Sequence, residues 1–308
     1  MTFFALILAL TVEQLRPQPP ERWLDVRLGR LADRAVELYD DGGVANGRVA
    51  WALLAGGAVL ASVLLFWLLR AIHPLFGFLF SAGVLYLMLG FREQGRRVSD
   101  IHLALSTGKV DEARALIGGW RGAAHEGATA GEVARLTIEQ ALVSSHRKVF
   151  GLIFWFVLLP GPAGAVMYCV ADFLAERWGR KREEGPGRFG EFAQRAFEVI
   201  DWLPVRLTAI AFAVIGSFED AIYCWRAQSM LWPDKASGIL IASGAGALRV
   251  RLGLPIHESG GIVDRPELGV GDKAEVGHMQ AAVKLVWRVL VLYLLLLALL
   301  ALAGWVGR

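Results

Sequence analysis

Two uncharged stretches, residues 49–69 and 71–91, each run for 21 residues with only Arg70 between them. About 20 apolar residues carry an α-helix across a hydrocarbon core, so either stretch is long enough to span a bilayer. Lipid offers nothing to satisfy a bare backbone N–H or C=O, which restricts spanning segments to helices or closed barrels. Ile72, His73 and Pro74 stand where a tight turn would join two antiparallel helices, so a transmembrane helical hairpin is expected over 49–91. The run 289–306 reads as a third span, preceded by Lys284 and Arg288 and ending near Trp305, an aromatic suited to the membrane interface. Composition agrees: of 308 residues 55% are hydrophobic and 20% charged, with mean hydropathy +0.47, against about 45–50% apolar and 25% charged in soluble domains. The expected fold class is all-α, a polytopic helical integral membrane protein.

Three further apolar stretches are interrupted. Residues 149–171 are cut by Pro160, Gly161 and Pro162, residues 199–218 carry Asp201, Pro204 and Arg206, and 236–248 are short. Backbone freed by Pro or Gly at membrane depth has to be buried in protein or line a wet cavity, so kinked or re-entrant segments here are where a site would be built. Basic residues orient the chain: six between Glu13 and Arg48, including Arg22, and nine from Arg92 to Lys148 place both flanks of the hairpin in the cytoplasm. Arg177, Arg180, Lys181 and Arg182 would put 172–198 on the same side, which a re-entrant hairpin at 149–171 permits. The layout read from this pattern is an N-terminal interfacial helix and basic segment (1–48), the hairpin (49–91), a small cytoplasmic helical insert (92–148), broken membrane segments with polar loops (149–284) and a C-terminal anchor (285–308). Within the insert, Ser99 or Asp100 would cap a helix that breaks at Thr107-Gly108, a second helix opens at Asp111, and a long amphipathic helix starts near Thr129. No run reads as a strand.

Chemistry is scarcer than apolar surface. There is no GxxxxGK[ST] loop, HExxH pair or GxSxG turn. Two cysteines without CxxC spacing exclude a disulfide framework or zinc ribbon, the six histidines are scattered, and no metal site is expected. Gly244-Ala245-Gly246 fits close helix packing better than a nucleotide loop. His257-Glu258, Asp264, Asp272-Lys273 and His278 read as a solvated polar loop. The charges in the broken segments are the sharper signal, because an ionisable group at membrane depth has to pair or reach water. Asp201 and Arg206, flanking Pro204, are the leading ligand-binding candidates, with Glu139, Arg147, Asp172 and Glu198 placed to complete a polar pocket; no catalytic residue is assigned.

The run Ile200-Asp201-Trp202-Leu203-Pro204-Val205-Arg206-Leu207, continuing to Ala213-Val214-Ile215-Gly216, resembles the signature of the AmpE family. Glu13-Gln14-Leu15, Trp23-Leu24-Asp25-Val26-Arg27-Leu28 and the Arg147 to Phe154-Trp155 spacing are similar too. That family, which the resemblance links to signalling in beta-lactamase induction, stands with the CobD/CbiB proteins of cobalamin biosynthesis, whose enzymes use ATP to join an aminopropanol-type moiety to adenosylcobyric acid. Set without gaps against the enzymes' acidic run, the chain keeps Glu139 and Phe154-Trp155 but has Val143, Ser144 and Arg147 at expected polar or acidic positions, and in a second element, Asp172 to Arg177, Ala175 stands at another. Gly246-Ala247-Leu248, Val250-Arg251-Leu252-Gly253 and Arg265-Pro266 resemble the enzymes' C-terminal region.

From these losses the expectation is an AmpE-like, non-catalytic protein of the bacterial inner (cytoplasmic) membrane that binds a ligand or partner in a signalling or accessory role. An active ligase of the adenosylcobinamide-phosphate synthase type is the alternative, and a transporter the third reading. The partners expected are the lipid bilayer, a corrinoid or other anionic small ligand, and a membrane signalling protein. With 32 basic against 29 acidic residues nothing points to nucleic acid. ATP and Mg enter only with the ligase alternative.

Overall fold

The computed structural model describes residues 2–16, 23–39, 44–184, 188–258 and 261–306. Arg22, and the side chains of Arg180, Lys181 and Arg182 used in the charge argument, lie outside the described residues. Among the described residues four helices are long and apolar enough to cross a membrane: Val44–Ile72, Pro74–Ser106, Ala130–Leu158 and Val276–Val306. The protein is thus an all-α polytopic membrane protein, with the helices longer than the apolar runs that announce them. Helix Val276–Val306 begins a full turn and more before Lys284, because flanking polar residues continue a helix as readily as they mark its exit from lipid.

The turn expected after Arg70 is present. His73 adopts an extended backbone, its Nδ1 accepts the N–H of Leu75 at 3.2 Å, and Pro74 opens the next helix, where its missing N–H costs nothing. That helix pauses at Leu89 and Gly90, then continues from Phe91 to Ser106. Ser99 and Asp100 are therefore interior helical residues rather than caps; Ser99 Oγ donates back to the Gly95 carbonyl at 2.9 Å. The segment 149–171 resolves into the end of helix Ala130–Leu158, a turn through Pro160 and Gly161, and helix Ala163–Glu184. The two arms pack at backbone distance: a Cβ on Gly164 would strike the Trp155 carbonyl, and one on Gly151 the Tyr168 hydroxyl.

The chain divides into two compact units. In the first, residues 1–90 and 147–202, a core of Ala32, Ala50, Val166, Val170, Leu174, Trp178 and Phe189 joins the N-terminal helices to helix Ala163–Glu184. The Trp178 ring meets Phe189 edge-on at 4.9 Å and its N–H reaches the Ala32 carbonyl at 3.3 Å. Arg177 makes a bidentate pair with Asp33, at 2.6 and 3.1 Å.

The second unit, residues 91–146 and 203–308, surrounds helix Ala130–Ser145. Val133, Ala134, Leu136, Ile138 and Leu142 are all fully buried, so this helix is enclosed on nearly every face rather than amphipathic as its sequence suggested. Gly244 packs on the Leu142 side chain and Gly246 on the Asp220 backbone, in keeping with the packing reading of that glycine pair. The region expected to be a polar loop instead folds into short strands: β1 (Val250–Gly253) lies between β4 (Glu267–Gly269), antiparallel to it, and β5 (Asp272–Lys273), parallel to it, while β2 (Ile256–Glu258) and β3 (Gly261–Val263) form an antiparallel ribbon. Strands of two to four residues are too short to show an alternating pattern, which is why the sequence concealed them.

Candidate functional site

Helix Ala130–Ser145 starts with a capping box. The Thr129 N–H donates to Glu132 Oε2 at 2.6 Å, and the Glu132 N–H donates to Thr129 Oγ1 at 3.3 Å. Glu132, Arg135 and Glu139 then follow at spacings of three and four, so all three stand on one face of the helix. The strands come to meet that face.

Glu139 is 1% exposed and yet surrounded by donors. Arg265 grips it with Nη1 on Oε2 at 2.8 Å and Nη2 on Oε1 at 3.2 Å, and the Gly253 N–H donates to Oε1 at 2.9 Å. The same guanidinium donates to the carbonyls of Leu254 (3.2 Å) and Gly253 (3.0 Å) and lies over the Trp232 ring at 5.3 Å. Gly253 has φ +69°, and a Cβ there would collide with the Pro266 carbonyl. Leu254 follows at φ +63°, a conformation that non-glycine residues seldom adopt and that marks stored backbone strain.

Two turns before Glu139 on the same helix, Glu132 Oε1 lies 3.0 Å from His257 Nδ1. Arg135 donates to the Pro255 carbonyl at 3.3 Å, and His125 Nδ1 lies 3.4 Å from the His257 carbonyl. Burial pushes the His125 imidazole below its ordinary pKa, against the pull of Glu258, and it likewise lowers the Arg121 guanidinium. A groove of about 580 Å³ is lined by residues that include Asp111, Arg114, Gly118, Gly122, His125 and Glu126.

A second set of charges lies in the first unit. A π-helical turn, His146–Phe150, presents Arg147 and Lys148 to Asp172, with Lys148 Nζ at 2.9 Å and Arg147 Nη1 at 3.8 Å. Tyr168, one helical turn before Asp172, donates its hydroxyl to Asp201 at 2.8 Å. The structure therefore brings Arg147, Asp172 and Asp201 into one unit and seats Glu139 within the other. Glu198 is exposed on helix Glu191–Ile215, and Arg206 lies half-buried on the same helix, beyond Pro204. Sequence reasoning missed Glu132, Arg135, His257 and Arg265 as site residues. The first two carried a readable signal, charges recurring at helical spacing inside an apolar stretch, whereas His257 and Arg265 reach their partners across 125 and 126 residues. Among the described residues no three His, Cys, Asp or Glu side chains stand together as a metal-ligating group.

The model of the CobD/Cbib protein family matches residues 6–286. The cobalamin biosynthesis protein CobD of Stutzerimonas stutzeri is 34% identical over 299 residues, covering 96% of each chain, and that of Chromobacterium violaceum is 33% identical over 288, covering 91% of each. The cobalamin biosynthesis protein CbiB of Salmonella typhimurium is 24% identical over 99% of both chains. No solved structure matches. These end-to-end similarities to proteins named for cobalamin biosynthesis overturn the expectation of a non-catalytic signalling or accessory protein. That expectation counted polar and acidic residues lost from two short runs, 139–148 and 172–177; the fold instead gathers charged groups from helix Ala130–Ser145, β2 and the segment before β4.

Proposed function

The chain belongs to the CobD/CbiB protein family, and from that premise we propose that it is an amide-forming ligase of cobalamin biosynthesis. The reaction is of the adenosylcobinamide-phosphate synthase type: ATP activates a carboxylate of adenosylcobyric acid, and the amine of an aminopropanol-type moiety displaces the activating phosphate. One observation carries this reading. Glu139, Gly253 and Arg265-Pro266, the elements that resemble the family's enzymes, are far apart in sequence and converge on one buried carboxylate. Such chemistry gathers anionic charge on oxygen and depends on donors fixed before the reaction starts. Glu139 fixes Arg265 and the strained Gly253-Leu254 backbone. Glu132 holds His257 Nδ1, which leaves the other ring nitrogen as the acceptor for an amine proton. Magnesium would travel with the nucleotide, since the described residues offer no dedicated cage and this ion is commonly held by phosphates, waters and one or two carboxylates. The site works from the bacterial inner membrane, and the resemblance of Ile200–Leu207 to AmpE proteins adds no activity to it.

The test is incubation of membranes with adenosylcobyric acid, an aminopropanol donor, ATP and Mg, followed by mass spectrometry. A condensation product that requires this protein and disappears in Glu139→Gln is expected. No product above a protein-free control, with the protein abundant in the membrane, would overturn the reading.

A further inference from the structure

The turn of the helical hairpin carries a charge that its surroundings do not answer. Arg70 stands in the last turn of helix Val44–Ile72, amid exposed Trp67, Leu68, Ile72, Leu75 and Phe76. A recess of about 220 Å³ opens beside it, lined by Arg70 and Trp67 together with Thr2, Phe66, Phe78 and Phe156, all within the first unit. No acidic residue occurs in 2–12, 49–91 or 149–171, the segments that supply this lining. Among the described residues the one charge contact of Arg70 is with the Trp67 ring, whose centroid lies 5.5 Å from the guanidinium carbon. Two glycines shape the recess. A Cβ on Gly77 would press on Arg70 Cβ at 3.1 Å, and one on Gly161, at φ +64°, would strike the Phe66 ring. The Ser81 hydroxyl in the wall is spent on the Gly77 carbonyl at 2.8 Å, and Arg70 is the one charged residue of the lining.

An arginine keeps its proton at any accessible pH, and a cation ringed by apolar surface at the edge of a membrane has to reach water or an anion. Trp and Arg at the end of a spanning helix sit at the level of the lipid headgroups. Phosphodiesters are the abundant anions there, and the guanidinium fork fits their oxygens. The aromatic walls of the recess suit an acyl chain, which a soluble phosphate lacks. We propose that the recess binds one anionic phospholipid from the leaflet at the hairpin turn, its phosphate on Arg70 and an acyl chain against Phe66, Phe78 and Phe156. A lipid of net negative charge is preferred to a zwitterion, whose own cation answers its phosphate and meets Arg70 as a like charge. Because the lining draws on helix Thr2–Leu15, the hairpin and the Pro160-Gly161 turn, the lipid joins three elements of one unit. The site stands apart from the ligase reading and uses none of its residues.

The test is native mass spectrometry of the full-length protein in detergent, titrated with phosphatidylglycerol or with phosphatidylcholine of the same acyl chains. One phosphatidylglycerol is retained under conditions that strip phosphatidylcholine. Its affinity falls about tenfold in Arg70→Gln, as loss of a charge-assisted fork requires. It falls as well in Thr2→Trp, which puts an indole into the recess and leaves the charge in place. Arg288→Gln, the loss of an exposed arginine on helix Val276–Val306, leaves it unchanged and so separates a defined site from general attraction of acidic lipid. Arg70 and Thr2 are both exposed, so each variant folds, which circular dichroism checks. Equal retention of the two lipids, unchanged affinity in either Arg70→Gln or Thr2→Trp, or an equal loss in Arg288→Gln overturns the proposal.

Discussion

Glu139 is stable as a buried charge because three donors replace the water it lost, and removing the charge strands Arg265. Breaking one partner of a buried ion pair costs about 3–5 kcal/mol, so Glu139→Gln should lower the thermal midpoint of the detergent-solubilised protein as well as its activity. His125 offers a pH test with a definite sign. Burial lowers its pKa in the folded state, with Arg121 and Arg265 adding to that effect while Glu258 and the His257 carbonyl oppose it. In the unfolded chain it titrates near about 6.5. Below that pH the unfolded state takes up a proton that the folded state refuses, so stability falls on acidification. Unfolding midpoints at pH 5.5 and 7.5 should converge in His125→Gln. At this scale the sequence showed which charges were anomalous, Glu139, Asp172 and Asp201, but not their partners. Asp201 was expected to pair, reach water or sit at the interface, and it accepts a hydrogen bond from Tyr168, a residue with nothing unusual about its position in the sequence.

At the scale of elements, local chemistry decides what can be read. The helix start at Thr129 is written in the sequence, with its Glu three residues on, and Thr129→Ala should cost about 1 kcal/mol in stability, measurable as a lowered unfolding midpoint with the helix content retained. The hairpin turn at His73-Pro74 was equally legible. The close approach at Gly164 was not, because only the folded arms reveal that the Trp155 carbonyl occupies the space of a side chain. Gly164→Leu should force the arms apart and reduce the amount of intact protein recovered from membranes, whereas the same change at Gly131, where a Cβ meets nothing, should be tolerated. Helix limits were misjudged wherever charged residues simply continue a helix, as Arg92, Arg96 and Arg97 do. The strands were missed because their identity lies in register with one another.

For the whole molecule, the division into units runs across the order of the chain. Residues 1–90 build a core with 147–202, and 91–146 with 203–308. A fragment ending at residue 90 lacks Val170, Leu174, Trp178 and Phe189, which fill the first core. It should be cleared from cells, with immunoblots of membranes showing far less of it than of the full chain. The basic residues of 92–148 and 172–198 argue, from charge alone, that Ser106, at the end of helix Pro74–Ser106, and Arg195, near the start of helix Glu191–Ile215, face the cytoplasm. In a Cys169→Ser, Cys224→Ser background, Ser106→Cys and Arg195→Cys should be labelled by an impermeant reagent from the same face. Labelling from opposite faces would end that assignment.

The Glu139 carboxylate has one further consequence, for heredity. A salt bridge between two side chains can be inverted by a pair of compensating mutations, and such pairs leave correlated changes among descendants. Here the exchange is blocked, because the Gly253 N–H demands an acceptor at position 139 whatever residue stands at 265. Neither partner can move first and the two cannot trade places. One of the molecule's most deeply enclosed contacts should therefore leave no trace of covariation, and the two positions should be silent together.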